Sequence, residues 1–172
     1  MHNDHAWYKI AVTGPTNKSV RVIKKTSGLV NPRVFFQTIH SLLGLTEKIT
    51  TEGEQIFTND TQMRPQISQM KLLIIDEVSM LNDELFKEVI KYRHKLKIIC
   101  MGDPAQIPPV GKPDCIPFRE ELAEKYRIDT LDLKKIMRQK EGNPIIESSI
   151  KIRTNIGAYH SPVDPITNLL EN

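Results

Sequence analysis

Three runs of almost unbroken apolar residues, KIAV at 9–12, KLLII at 71–75 and KIICM at 97–101, constrain this chain more than any other feature. A strand with one wet face alternates apolar and polar residues, so runs that are apolar throughout belong to strands covered on both faces. Each run ends in a polar or glycine-containing loop, TGPTN, DEVSM and GDPAQ, and helical periodicity fills the segments between them. The pattern predicts an α/β fold built on a parallel sheet with helices on both faces, its strands over Trp7 to Val12, Lys71 to Ile75, Leu96 to Met101 and Ile128 to Leu133. The clearest helix follows Met80, where LNDELFKEVIKYRHK sets Leu85, Phe86, Val89 and Ile90 on one face behind an Asn82 N-cap, with basic residues at its far end. Asn143-Pro144 predicts a second helix start leading into IIESSIKIR.

At 172 residues, one globular domain with a core and an appendage is the natural size. With 39% hydrophobic and 26% charged residues the chain is too apolar for wholesale disorder. No run approaches a membrane span and the start, MHNDHAWYKI, has no signal-like apolar region, so a cytoplasmic setting without a membrane is expected. Cys100 and Cys115 form no CxxC pair and are read as reduced thiols. The net charge of +3 permits a polyanion partner without demanding one. The polar, threonine-rich stretch at 45–70, with Gly53 at a turn, predicts a small β-hairpin insertion projecting from a domain over 1–153. An irregular tail over 154–172 follows.

The apolar strand of LLIIDEVSM carries Asp76 and Glu77 to the carboxyl edge of the sheet, where open α/β folds bind ligands. An adjacent carboxylate pair there suits Mg²⁺ at Asp76 and a water oriented or deprotonated by Glu77, although such a pair also serves as a solvated helix opening. The next strand ends in GDPAQIPPV, so Asp103 and Gln106 leave the same edge, with Gly102 for a close turn and Pro104, Pro108 and Pro109 stiffening the loop. Gln106 is placed to sense a phosphate or an ordered water. Arg138, in LDLKKIMRQ, is a candidate for neutralising charge at a γ-phosphate. Near the N-terminus, TGPTNKSVRVIKK joins a strand to a helix start with free N–H groups, and Thr13, Thr16, Asn17, Ser19, Lys18, Arg21, Lys24 and Lys25 suit a nucleic-acid phosphate. Downstream, FFQTIHSLLGL offers Thr38 and His40, with Phe35 and Phe36 read as core residues.

In chain order, PTNKSVRVIKK, TIHSLLGL, LLIIDEVSM, GDPAQIPPV and IMRQ resemble the first motor domain of superfamily 1 helicases of the RecD-like and Dda-like branch. The resemblance implies a RecA-like domain in which Pro15, Thr16, Asn17, Thr38 and His40 line a single-stranded DNA path. It also implies that Asp76 and Glu77 are the Walker B pair, Gln106 the γ-phosphate sensor and Arg138 a phosphate-contacting arginine. The polar insertion is similar to the wedge or pin of such enzymes. ATP and Mg²⁺ are the cofactors implied for a complete enzyme.

The pattern G-x-x-x-x-G-K-[ST] is absent; its nearest decoy, Asn17-Lys18-Ser19, would put the required glycines on Val12 and Asn17. PTNKSVRV matches the DNA-contacting motif better than a degraded P-loop. The expectation is therefore a motor fragment without its P-loop segment and second motor domain, inactive by itself as an ATPase. A gap is expected in the sheet where the P-loop strand belongs, beside the strand ending at Asp103. Two other readings stand beside it: a non-hydrolysing single-stranded DNA-binding module, and an unrelated α/β protein holding a metal on Asp76 and Asp103.

Overall fold

The computed structural model describes residues 8–49, 55–59, 65–106, 109, 114–133, 148–149 and 151. Two compact units divide the chain, residues 1–128 and residues 129–172, and nearly all of the described structure lies in the first.

In that unit the elements run β1 (Ile10–Gly14), α1 (Asn17–Ser27), β2 (Val34–Thr38), α2 (Ile39–Leu43), β3 (Leu45–Ile49), β4 (Gln55–Asn59), β5 (Leu72–Ile75), α3 (Asp83–Ile90), β6 (Lys97–Cys100) and α4 (Glu120–Tyr126). Short 3₁₀ turns intervene at Gln66–Gln69, Val78–Met80 and Ile116–Phe118. β2, β1, β5 and β6 form, in that order, one parallel sheet. β3 and β4 pair antiparallel as a separate hairpin, with Leu45 opposite Asn59 and Ile49 opposite Gln55.

Successive residues of a strand point to opposite faces, and here each face meets helices. Ala11, Leu73 and Ile75 enter a core with Ile39 and Leu42 of α2 and Leu85, Phe86 and Val89 of α3, all buried. Val12 turns the other way, toward the side covered by α1, whose Val20 is its one buried residue. Asn82 caps α3 as its sequence predicts: its Oδ1 accepts from the Leu85 N–H at 2.8 Å. The ion pair of Arg119 and Asp83 and the edge contact of Phe86 with Tyr126 tie α4 to α3.

Three expectations change. Residues 128–133 form no strand. Asp129 and Asp132 break the apolar run, and Ile128 ends α4 instead: its N–H bonds to the Ala123 carbonyl at 2.8 Å while Arg127 turns left-handed. The fourth strand of the sheet is β2, whose VFFQT was read only as core and site residues. Second, the sheet has no internal gap. β5 pairs directly with both β1 and β6, so β6 stands last in the described order and a strand missing beside it would leave an end rather than a hole. Third, the end of the 45–70 stretch belongs to the main body, because Ile67 and Met70 are buried in the core. The predicted helix start at Asn143-Pro144 and the tail over 154–172 lie outside the described residues.

Candidate functional site

Because all four strands of the main sheet are parallel, their loops leave from a common edge. The register pairs Gly14 with Thr38, Thr13 with Ile75, and Ile75 with Cys100. That alignment brings Pro15, Thr16 and Asn17 after β1, Thr38 at the end of β2 with His40 after it, Asp76 and Glu77 after β5, and Gln106 beyond β6 to one edge of the sheet. Arg138 lies outside the described residues.

Backbone hydrogen bonds pin the acidic pair. The Asp76 N–H donates to the Thr13 carbonyl at 2.9 Å, Val78 N–H to Met101 at 2.9 Å, and Met101 N–H to Ile75 at 2.8 Å. The loop after β5 is thereby stitched to both neighbouring strands. Glu77 sits in the left-handed region with φ 55°, an arrangement that disfavours any residue with a Cβ. Gly102 permits the close approach of the two loops, since a Cβ there would stand 2.9 Å from Val78 Cγ1 and 3.2 Å from the Val78 and Ser79 nitrogens. Ser79, almost fully buried, donates from Oγ to Gln106 Oε1 at 3.5 Å. The Gln106 N–H closes a turn onto the Asp103 carbonyl at 3.0 Å, and the Asp103 carboxylate accepts from the Ala105 N–H at 3.0 Å. Sequence reasoning missed Ser79; its place in a 3₁₀ turn directly behind the carboxylates was the available signal.

The second cluster rests on helix capping. Thr16 is the N-cap of α1 in a reciprocal capping box: its Oγ1 accepts from the Ser19 N–H and its own N–H donates to Ser19 Oγ, both at 3.1 Å. Gly14 leaves room for that box, as a Cβ would lie 2.6 Å from Ser19 Oγ. Thr38 caps α2 without the return bond, its Oγ1 accepting from the Ser41 N–H at 3.3 Å. His40 stacks on Phe57 of β4 with ring centroids 3.9 Å apart. The hairpin thus joins the surface that carries Thr38 and His40, and Phe57, 43% exposed, adds an aromatic face that the sequence reading did not single out.

Among the described residues no group of three or more His, Cys, Asp or Glu is arranged to hold a metal. Asp76 supplies a single carboxylate at the edge, a donor set that fits Mg²⁺ only where phosphate oxygens and waters complete the shell. Burial pushes the Cys100 thiol up to about 12 and the Cys115 thiol up to about 11, which keeps both protonated and poorly nucleophilic at neutral pH. No helix among the described residues is long and apolar enough to cross a membrane.

Comparison with known proteins bears on this edge. Residues 2–161 match the model of the AAA domain family. The ATP-dependent RecD2 DNA helicase of Deinococcus radiodurans is 29% identical, over 82% of this chain and 17% of its own length. The ATP-dependent DNA helicase dda of Enterobacteria phage T4 is 27% identical, over 90% of this chain and 33% of its own length. The crystal structure of Pif1 from a Bacteroides species in complex with ADP-AlF4 superimposes with a TM-score of 0.50 at 21% identity, covering 94% of this chain and 39% of that one. The chain thus spans a third or less of the length of these two helicases, and the Pif1 likeness shows the RecA-like fold. With the parallel sheet and the shared loop edge already described, the chain belongs to the AAA domain family, and within it is similar to the motor regions of these two ATP-dependent DNA helicases.

Proposed function

We propose that this chain is the part of an ATP-dependent DNA helicase that couples the hydrolysis edge of the motor to a single DNA strand. The observation that carries the reading is the shared edge: the loops after β5 and β6 hold Asp76, Glu77 and Gln106, while those after β1 and β2 hold Pro15, Thr16, Asn17, Thr38 and His40. Asp76 would hold the Mg²⁺ that neutralises phosphate charge. Glu77 orients and deprotonates the attacking water, and its fixed, left-handed backbone keeps the carboxylate preorganised. Gln106 senses the terminal phosphate and, through Ser79, stays in register with the loop of Glu77. Arg138 neutralises charge on the same phosphate.

On the DNA side, the capping box takes the Ser19 N–H and leaves the first amides of α1 as the natural phosphate donors. His40 and Phe57 offer stacked ring surface to bases. The 172-residue chain encodes no G-x-x-x-x-G-K-[ST], so the backbone cradle that fixes the β- and γ-phosphates is not supplied within it. By itself it therefore binds single-stranded DNA without turning over ATP.

Fluorescence anisotropy with labelled oligo-dT tests the DNA half. Binding should be independent of sequence, and log K should fall against log salt with a slope of about −2 to −3.5, as expected for roughly three to five phosphates. Thr16→Asp keeps an N-cap but sets a carboxylate beside the phosphate and should weaken binding, as should His40→Ala. Absence of binding at low salt sinks the DNA reading. Robust ATP hydrolysis by the pure chain, lost in Glu77→Gln, sinks the claim of inactivity.

A further inference from the structure

The opposite edge of the sheet, where the strands begin, carries a charge pattern that the proposed site does not use. The Ile10 N–H bonds to the Arg33 carbonyl, Lys71 N–H to Lys9, and Lys97 N–H to Lys71, so the pairing extends to the first residue of every strand. Arg33, Lys9 and Lys71 consequently stand in one register across β2, β1 and β5, while Lys97, opposite Leu72, begins β6 one position further on and on the other face of the sheet. At about 4.8 Å between strands the four strand starts span about 14 Å. Arg33, Lys71 and Lys97 are exposed and Lys9 is half-buried, its Nζ bonded to neutral Gln69 at 2.8 Å. Lys24 and Lys25 in the last turn of α1, and Arg93 and Lys95 between α3 and β6, flank it, whereas Lys91 is paired with Glu88.

The described stretches that build this edge and α1, residues 8–33, 65–75 and 89–102, hold 11 of the chain's 24 Lys and Arg residues and none of its 21 Asp and Glu. A chain with net charge of only +3 is therefore strongly polarised, with the remaining residues net negative. Like charges on neighbouring strands repel, and nothing in the core requires cations at these positions. α1 spans about 16 Å, so this row is about that far from the Thr16 cap and belongs to a separate surface.

We propose that this edge is a second nucleic-acid site that holds a sugar–phosphate backbone through charge alone. Lysine predominates over arginine, which suits point-charge contact with successive phosphates rather than forked recognition of single carboxylates or base edges. Among the described residues no stacked ring pair like His40–Phe57 lies along this edge, where the Phe35 ring is already covered by the Lys9 ammonium at 5.7 Å, so backbone rather than bases is bound. The inference extends the DNA reading above to a different surface, and each can fail without the other.

The test is the triple variant Lys9→Gln, Lys71→Gln, Lys97→Gln in the whole chain, titrated with labelled duplex and single-stranded 30-mers over a salt series and checked for folding by circular dichroism. Loss of three phosphate contacts should flatten the salt slope by about 2.7 for duplex or about 2 for a single strand, and the larger loss identifies which form is held. The pair Thr16→Asp, His40→Ala should lower single-strand affinity and leave the duplex slope alone. An unchanged slope in the folded triple variant overturns the second site while leaving the Thr16 and His40 result standing. An equal flattening in a Lys87→Gln, Lys125→Gln control overturns it as a net-charge effect. Displacement of DNA by polyglutamate at equal charge concentration overturns it in favour of an acidic protein partner.

Discussion

Glu77 shows how one residue holds strain for the sake of position. Its φ of 55° costs about 1–2 kcal/mol relative to an extended or right-handed conformation, and the flanking bonds from Asp76 to Thr13 and from Val78 to Met101 enforce it. Glycine adopts this conformation without the Cβ penalty. Glu77→Gly should therefore raise stability by up to about 1 kcal/mol, read as a higher urea midpoint, whereas Glu77→Gln should leave it unchanged. A destabilised glycine variant would mean that the side chain, not the bonded backbone, maintains the turn. The identity of the carboxylate was legible in the sequence, from its place directly after an apolar run. Its backbone conformation was not, because φ at that point is dictated by hydrogen bonds to strands far away in the chain.

At the scale of elements, capping explains both what was legible and what was not. The Asn82 cap and the apolar face of α3 follow from local chemistry, and the structure reproduces them. Asn82→Ala should cost about 0.5–2 kcal/mol, with Asn82→Asp close to neutral, and thermal denaturation of the two variants distinguishes a cap from a mere surface residue. The capping roles of Thr16 and Thr38 were hidden behind their reading as DNA contacts, although both residues stand at the N-cap position that their type favours. Two strands illustrate the opposite problem. VFFQT pairs as β2 while IDTLDL, interrupted by Asp129 and Asp132, forms none, because strand formation depends on which edge is offered for pairing and on the α4 terminus that consumes Ile128.

At the scale of the whole molecule, packing sets the chemistry of groups that look reactive in isolation. Cys100 lies just ahead of the loop of Gln106, yet burial raises its thiol to about 12, and Cys115 rises to about 11, against an ordinary value of 9.0. The neutral thiols are favoured in the folded state, so their contribution to stability is full below pH 9 and is lost as pH rises from 9 toward about 12. Urea midpoints measured from pH 7 to 11 should fall in the wild type and fall less in a Cys100→Ala, Cys115→Ala variant; parallel curves would exclude the thiols as the cause. The sequence by itself determined the fold class, the order of the motifs and the loops that carry the candidate residues, because apolar runs and the loops that follow them are properties of contiguous chain. Only the tertiary structure decided which run became the fourth strand, how Ser79 and Gly102 join two loops, and that Phe57 reaches His40. Those outcomes depend on register and on close approach between segments tens of residues apart, which no local pattern encodes.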